Sequence, residues 1–206
     1  SLIMVGGLHM SGNTWATQYK NYHDNIDVLN LETHAWSTIT PTNTGPAAGA
    51  FRSIQEYNGM LVMWGGRTYS GAGSTTTYLD RNEVWALNLK SYAWTQILSE
   101  TPFVFNALAS SAIYKNQFLT FGGENTVEGH YRNEMFSLDL SSGSKETGCS
   151  LTWASKTLGN NAPSARSEGM SAVYDNKMLI IGGYSGNRES AIYEIDLDSG
   201  STTEIT

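Results

Sequence analysis

Met178-Leu179-Ile180-Ile181-Gly182-Gly183 is the phrase around which the chain is organised. Four apolar, β-prone side chains run into a glycine pair, the pattern of a buried strand that stops at a backbone bend. The same phrase recurs as Leu2-Ile3-Met4-Val5-Gly6-Gly7, Met60-Leu61-Val62-Met63-Trp64-Gly65-Gly66 and Phe118-Leu119-Thr120-Phe121-Gly122-Gly123. The pairs stand 59, 57 and 60 residues apart, and self-similarity at such a period marks a repeat protein.

Working outward, eight residues before each of the last three pairs stands a tyrosine (Tyr57, Tyr114, Tyr174), followed by Asn58-Gly59, Lys115-Asn116 or Asp175-Asn176. These are hairpin turns. The run before each turn is small or apolar, as in Ser110-Ser111-Ala112-Ile113, which suits strands whose backbones crowd together. Downstream lies a second ungapped column: Asp24 to Leu31, Asn82 to Leu89, Asn133 to Leu140 and Ser190 to Leu197. Its alternation marks strands, and the Asn or Asp before the last Leu (Asn30, Asn88, Asp139, Asp196) suits a turn start. Trp36, Trp94 and Trp153 then open a short outer strand in three of the units. Each unit is thus a four-stranded sheet that buries its faces only by stacking on copies of itself. Radial stacking gives a β-propeller.

With these columns the sequence resembles the kelch-repeat family along essentially its whole length. The expected fold is all-β, a kelch-type propeller of four-stranded antiparallel blades. Four repeats are visible, at about residues 1–44, 45–101, 102–160 and 161–206, the first lacking strand one. The resemblance implies a ring of about six or seven blades, so further blades would come from the same or another chain. The start at Ser1, without methionine or a basic leader, likewise suggests a piece of something longer. The family's Pro-x-x-Arg lead-in is clean only as Pro163-Ser164-Ala165-Arg166. The second unit has Gly49 in that column and Arg52 three positions later; the third has Asn106, and the fourth has no closing tryptophan. A function needing a ring of arginines is therefore not expected.

The net charge of −7 and pI near 5.0, with no Lys/Arg cluster, disfavour nucleic acid and anionic membrane surfaces and suit a basic partner better. No apolar run approaches the length of a membrane helix. Cys149 is the single cysteine, so neither an internal disulfide nor a cysteine-based zinc site is available. No asparagine begins an Asn-x-Ser/Thr acceptor. The glycine pairs lead into no helix and so make no phosphate loop. No cofactor or metal is expected.

The connection after each glycine pair and the connection between blades are expected on one rim. The former spans sixteen residues in the first unit, fifteen in the second, nine in the third and six in the fourth. The candidate ligand-binding residues on that rim are His9, Trp15, Tyr19, Tyr22, Arg67, Tyr69, Tyr78, Arg81, His130, Tyr131, Arg132, Tyr184 and Arg188, rigid aromatics and arginines among glycine and serine spacers. Met10, His23, Glu124 and Glu128 accompany them. The Ser141–Ser150 insertion, which holds Cys149, is expected on the opposite rim. The expected role is a non-catalytic module that binds a protein or glycan. Because some kelch proteins are enzymes, a channel-mouth activity resembling sialic-acid epimerases or nitrile-specifier proteins is the alternative, using Glu124, Arg166, Glu168 and Arg188. A galactose-oxidase-like copper site is disfavoured by the placing of Cys149 away from His9, His23 and His130. A purely structural spacer is the third possibility.

Overall fold

The computed structural model describes residues 1–11, 19–70, 77–100, 107–125, 129–141 and 150–205, and every regular element among them is a strand. Among the described residues blade 1 has three strands, β1 (Leu2–Ser11), β2 (Tyr19–Leu29) and β3 (Trp36–Ile39), the second to fourth of the repeat. Blade 2 is β4 (Ser53–Tyr57), β5 (Met60–Trp64), β8 (Val84–Asn88) and β9 (Trp94–Glu100), with β6 (Arg67–Ser70) and β7 (Thr77–Asp80) forming a separate ribbon. Blade 3 is β10 (Ser110–Tyr114), β11 (Gln117–Phe121), β14 (Met135–Asp139) and β15 (Ser150–Lys156), with the small ribbon β12 (Glu124–Asn125) and β13 (His130–Tyr131). Blade 4 is β16 (Met170–Tyr174), β17 (Lys177–Tyr184), β18 (Arg188–Asp196) and β19 (Thr202–Ile205). All pairing within blades is antiparallel. One feature was not anticipated: outer strands β9 and β15 pair in parallel from Ser150↔Leu98 to Thr152↔Glu100, which fuses blades 2 and 3 into one eight-stranded sheet.

First strands lie side by side, β4 against β10 and β10 against β16, and this defines the axis. Their small side chains let short donors reach the neighbouring backbone. Ser53 Oγ donates to the Ala109 carbonyl (3.0 Å), Ser110 Oγ to that of Gly169 (2.8 Å), and Ser171 Oγ to that of Ser111 (2.7 Å).

The core consists of the seams between blades. Because successive side chains on a strand point to opposite faces, β5 divides its residues. Leu61 and Met63 join Ile26 and Trp94 at the seam with blade 1, whereas Val62 and Trp64 join Phe118, Leu138 and Trp153 at the seam with blade 3. Strand β11 does the same, and its Leu119 and Phe121 meet Met178, Ile180 and Ile195 of blade 4. The column tryptophan covers the preceding blade: Trp153 lies 5.0 Å from Trp64 between ring centres. Trp36, which meets no neighbouring sheet among the described residues, is 55% exposed against 5% for Trp153. The outward faces of the end blades are also open, at Leu2 and Met4 of β1 and at Met170 and Tyr174 of β16. The expectation that every strand before a glycine pair is buried therefore holds in the middle of the array and fails on the outer side of β1. In blade 4, buried Thr202 takes the tryptophan position opposite Ile195, so the outer strand forms without the aromatic.

The far turns are set by the predicted Asn and Asp residues. Asn30 Oδ1 accepts the amides of Glu32 and Thr33, Asn88 those of Lys90 and Ser91, and Asp196 those of Asp198 and Ser199. No helix among the described residues is long and apolar enough to cross a membrane.

Candidate functional site

The glycine pairs build the opposite rim. Gly122 has φ +67°, and a Cβ there would collide with the Arg166 carbonyl of the next blade, so the chain can turn at that point only on glycine. Gly123 N–H donates to the same carbonyl at 2.9 Å. The residue after each pair bridges to its blade's lead-in, as Ala50↔Arg67, Ala107↔Glu124 and Ser167↔Tyr184, so the two kinds of connection share one rim. From there the ribbons rise unequally. Pairing beyond the glycines extends over four positions in blades 1 and 2, two in blade 3 and one in blade 4.

Inside the ribbons, the three residues that lead into the first strands form a ladder around the axis. Phe51, Leu108 and Glu168 share a left-handed φ of 61°, 60° and 59°. Leu108 N–H donates to the Phe51 carbonyl (3.1 Å) and Glu168 N–H to the Leu108 carbonyl (2.9 Å). These hydrogen bonds hold a conformation that side-chain-bearing residues seldom adopt.

Above the ladder runs an ionic chain that crosses three blades. Arg67 Nε lies 2.6 Å from Asp80 Oδ1, its register partner across the β6–β7 ribbon, and Arg67 Nη2 lies 2.7 Å from Glu124 Oε1 on blade 3. Glu124 Oε2 also accepts from Ser167 Oγ of blade 4 at 3.3 Å. Burial works against the Arg67 charge, but the hydrogen bonds and charges of Asp80 and Glu124 outweigh it and its pKa is raised. Beside this chain, Tyr131 and Tyr184 meet edge to face at 5.7 Å. The Tyr131 hydroxyl is held above its ordinary pKa by burial, and by the nearby Tyr184, Glu124 and Glu168.

The structure sorts the candidate residues. His9, His23, His130 and Arg188 are exposed, while Tyr22, Arg81, Tyr131, Arg132 and Tyr184 are half-buried. Arg81 pairs with Glu83 at 3.3 Å and Arg132 with Glu134 at 3.8 Å. Arg67 is a correction: it is buried and doubly ion-paired, so its guanidinium braces two blades and does not face a ligand. Trp15, Glu128 and Cys149 lie outside the described residues, and for Met10, Tyr19, Tyr69 and Tyr78 only the backbone is described. Of the four channel-mouth candidates, Glu124 is the register partner of Tyr131, and the charges of Glu124 and Glu168 both act on the Tyr131 hydroxyl. Arg166 is spent elsewhere, donating to the Ser164 and Gly182 carbonyls at 3.0 Å each and lying 5.0 Å over the Tyr193 ring. The sequence reading missed Asp80, Ser167, Phe51 and Leu108. Only Asp80 carried a signal, as the acid standing opposite Arg67 once the ribbon is registered.

Two clefts of about 210 and 260 Å³ lie at the other rim between blades 3 and 4, walled by Lys156, Leu197 and Asp198 among others. Lys115 and Asp198, both exposed, pair at 3.0 Å in the wall of the larger one. Among the described residues no group of three His, Cys, Asp or Glu side chains is placed to hold a metal ion.

No family model matches the chain. Two curated proteins are similar to it. Protein tag-53 of Caenorhabditis elegans is 29% identical over 105 residues, 48% of this chain and 8% of that protein. Kelch domain-containing protein 2 of Homo sapiens is 27% identical over 125 residues, 60% of this chain and 30% of that protein. The chain thus spans less than a third of the length of either relative. Among solved structures, the one titled "Structure of YjhT" matches with a TM-score of 0.65 at 14% identity, covering 99% of this chain and 80% of that chain, a likeness of fold.

Proposed function

The chain is built of kelch-type β-propeller blades, and we propose that it works as a non-catalytic interaction module that takes a protein or glycan ligand on the rim carrying the ribbons. The observation that carries this reading is the unequal extension of the strands past their glycine pairs, longest in blades 1 and 2. A closed sheet needs only a short turn at that point, as blade 4 shows, so the added length serves no purpose within the blade. The ribbons hold their backbones by pairing, which lowers the ordering cost a ligand would otherwise have to meet. The ribbons and their flanks carry Tyr22, Tyr69, Tyr78 and Arg81, residue types from which hot spots are usually made.

The test separates the tips from the scaffold. One variant replaces residues 12–18 and 71–76 each with Asn-Gly; another carries Trp15→Ala, Tyr69→Ala and Arg81→Ala. Wild type and variants are applied to immobilised glycans and to arrayed proteins, with thermal unfolding measured in parallel. Both variants should lose at least about thirtyfold in affinity for whatever the wild type binds, with unfolding transitions close to wild type. Retained binding in both would move the ligand to another face.

A further inference from the structure

The axial mouth inside the ribbons differs chemically from the rim around it. Phe51 and Leu108 supply apolar side chains at two steps of the ladder, whereas blade 4 supplies Glu168. Glu168 is exposed, and no ion pair joins it to any described residue. Through the Ser167↔Tyr184 bridge it lies one residue from the point where Tyr184 crosses the lead-in. Tyr184 stands edge to face with Tyr131, the register partner of Glu124, whose Oε1 is engaged by Arg67 and whose Oε2 accepts from Ser167. Arg67 is occupied by Asp80 and Glu124, and Arg166 by backbone carbonyls and the Tyr193 ring, whereas Arg188 is exposed and is the register partner of Tyr184.

We propose that this mouth, formed by Tyr131, Tyr184, Glu124 and Glu168, receives the cationic side chain of a lysine or arginine borne by a peptide segment of the partner. The inference deepens the rim-binding reading and rests on it. A cation seated on the face or edge-paired wall of two tyrosines gains from the ring quadrupole, and Glu168 supplies a charge-assisted hydrogen bond without first giving up an internal partner. An anionic side chain would be repelled by the carboxylates of Glu124 and Glu168. The net charge of −7 adds a long-range bias of the same sign.

The probes are hexalysine, hexaglutamate and n-butylammonium chloride, titrated into protein labelled with 13C at tyrosine and followed by the ring resonances of Tyr131 and Tyr184. Hexalysine should shift both rings and hexaglutamate neither. Glu168→Gln should weaken hexalysine by about five- to tenfold, and Tyr184→Leu should abolish the remaining ring shift. Glu204→Gln, on the outer strand of blade 4, removes the same formal charge away from the mouth and should change affinity by less than about twofold. Equal shifts with hexaglutamate, or an unchanged hexalysine affinity in Glu168→Gln, would overturn the assignment. Butylammonium binding as tightly as hexalysine would overturn the peptide as its source. The ribbon-tip variants keep the mouth and should keep the hexalysine shifts. If hexalysine fails while those variants still lose the rim ligand, the mouth inference falls alone.

Discussion

Arg67→Met isolates the ionic chain that ties three blades together at the rim. The side chain of Arg67 is 7% exposed and that of Asp80 0%, with 2.6 Å between Nε and Oδ1, so methionine would leave the aspartate carboxylate in a dry site without its counter-charge. Breaking a buried pair from one side costs about 3–5 kcal/mol. The lower end applies here, since the second partner, Glu124, is 18% exposed and keeps Ser167 as a donor. For a domain of this size ~3 kcal/mol corresponds to a fall of about 6–12 °C in Tm. The assay is thermal and urea unfolding of Arg67→Met beside the triple variant Arg67→Met/Asp80→Leu/Glu124→Leu. Removing all three charges together should recover most of the loss, because the penalty lies in the stranded anion and not in the missing attraction. An Arg67→Met variant that unfolds with wild type, or a triple variant less stable than the single one, would refute a buried strut at this position.

Trp153→Ala should cost about 3–5 kcal/mol by emptying the seam between blades 2 and 3, whereas Trp36→Ala, in the same repeat column but with its ring mostly in water, should cost less than about 1 kcal/mol; urea unfolding compares the two. Gly122→Ala should destabilise by at least about 2 kcal/mol, since the new Cβ meets the Arg166 carbonyl at a φ that glycine alone tolerates, and calorimetry would show it as a lowered Tm. Asp196 is held below its ordinary carboxylate pKa, first by the amide and hydroxyl of Ser199. Its contribution is therefore fully present above the unfolded pKa and lost as pH falls through the folded one. Asp196→Asn should accordingly flatten the acid limb of a stability–pH profile between about pH 5 and 2 while leaving its neutral and alkaline limbs parallel to wild type.

The scaffold was legible because its constraints are local. A glycine pair, a turn pair eight residues earlier and an Asx residue before the closing leucine each act within a few residues of backbone, so the sequence records them at fixed spacing. The rim was less legible because its contacts cross blades. Arg67 looked like a ligand contact in a loop of aromatics and glycines, and only the register of β6 against β7 and the approach of blade 3 show Asp80 and Glu124 closing on it. The ladder of Phe51, Leu108 and Glu168 was invisible for the same reason. Its three side chains share nothing but a backbone conformation, and that conformation is imposed by hydrogen bonds from one blade to the next. The parallel pairing of β9 with β15 likewise depends on where two outer strands end in space, which no pattern within either strand encodes.

The displaced arginine of the second repeat carries the argument furthest. In blade 4, Arg166 gives its guanidinium to the carbonyl two residues before it, to the first glycine of its pair, and to the Tyr193 ring. Blade 2 has Gly49 in the Arg166 column, yet Arg52 turns back so that Nη2 donates to the carbonyl of Ala47, the counterpart of Ser164. It shares a pocket there with Gly65 and Trp85, the counterparts of Gly182 and Tyr193. Burial lowers the Arg52 pKa, with Glu83 the largest opposing influence. A long side chain reaches one set of carbonyls from either of two backbone positions, so what the fold preserves is the guanidinium's destination. The glycine in the vacated column leaves room for that return, since a Cβ on Gly49 would stand 2.8 Å from Arg52 Nη2 and 3.0 Å from the Arg67 carbonyl oxygen. Both arginines turn inward on backbone, so the broken lead-in motif records how the blades are clamped and says nothing about ligand charge. The proposed preference of the mouth for a cation rests instead on Glu168, whose carboxylate neither clamp engages.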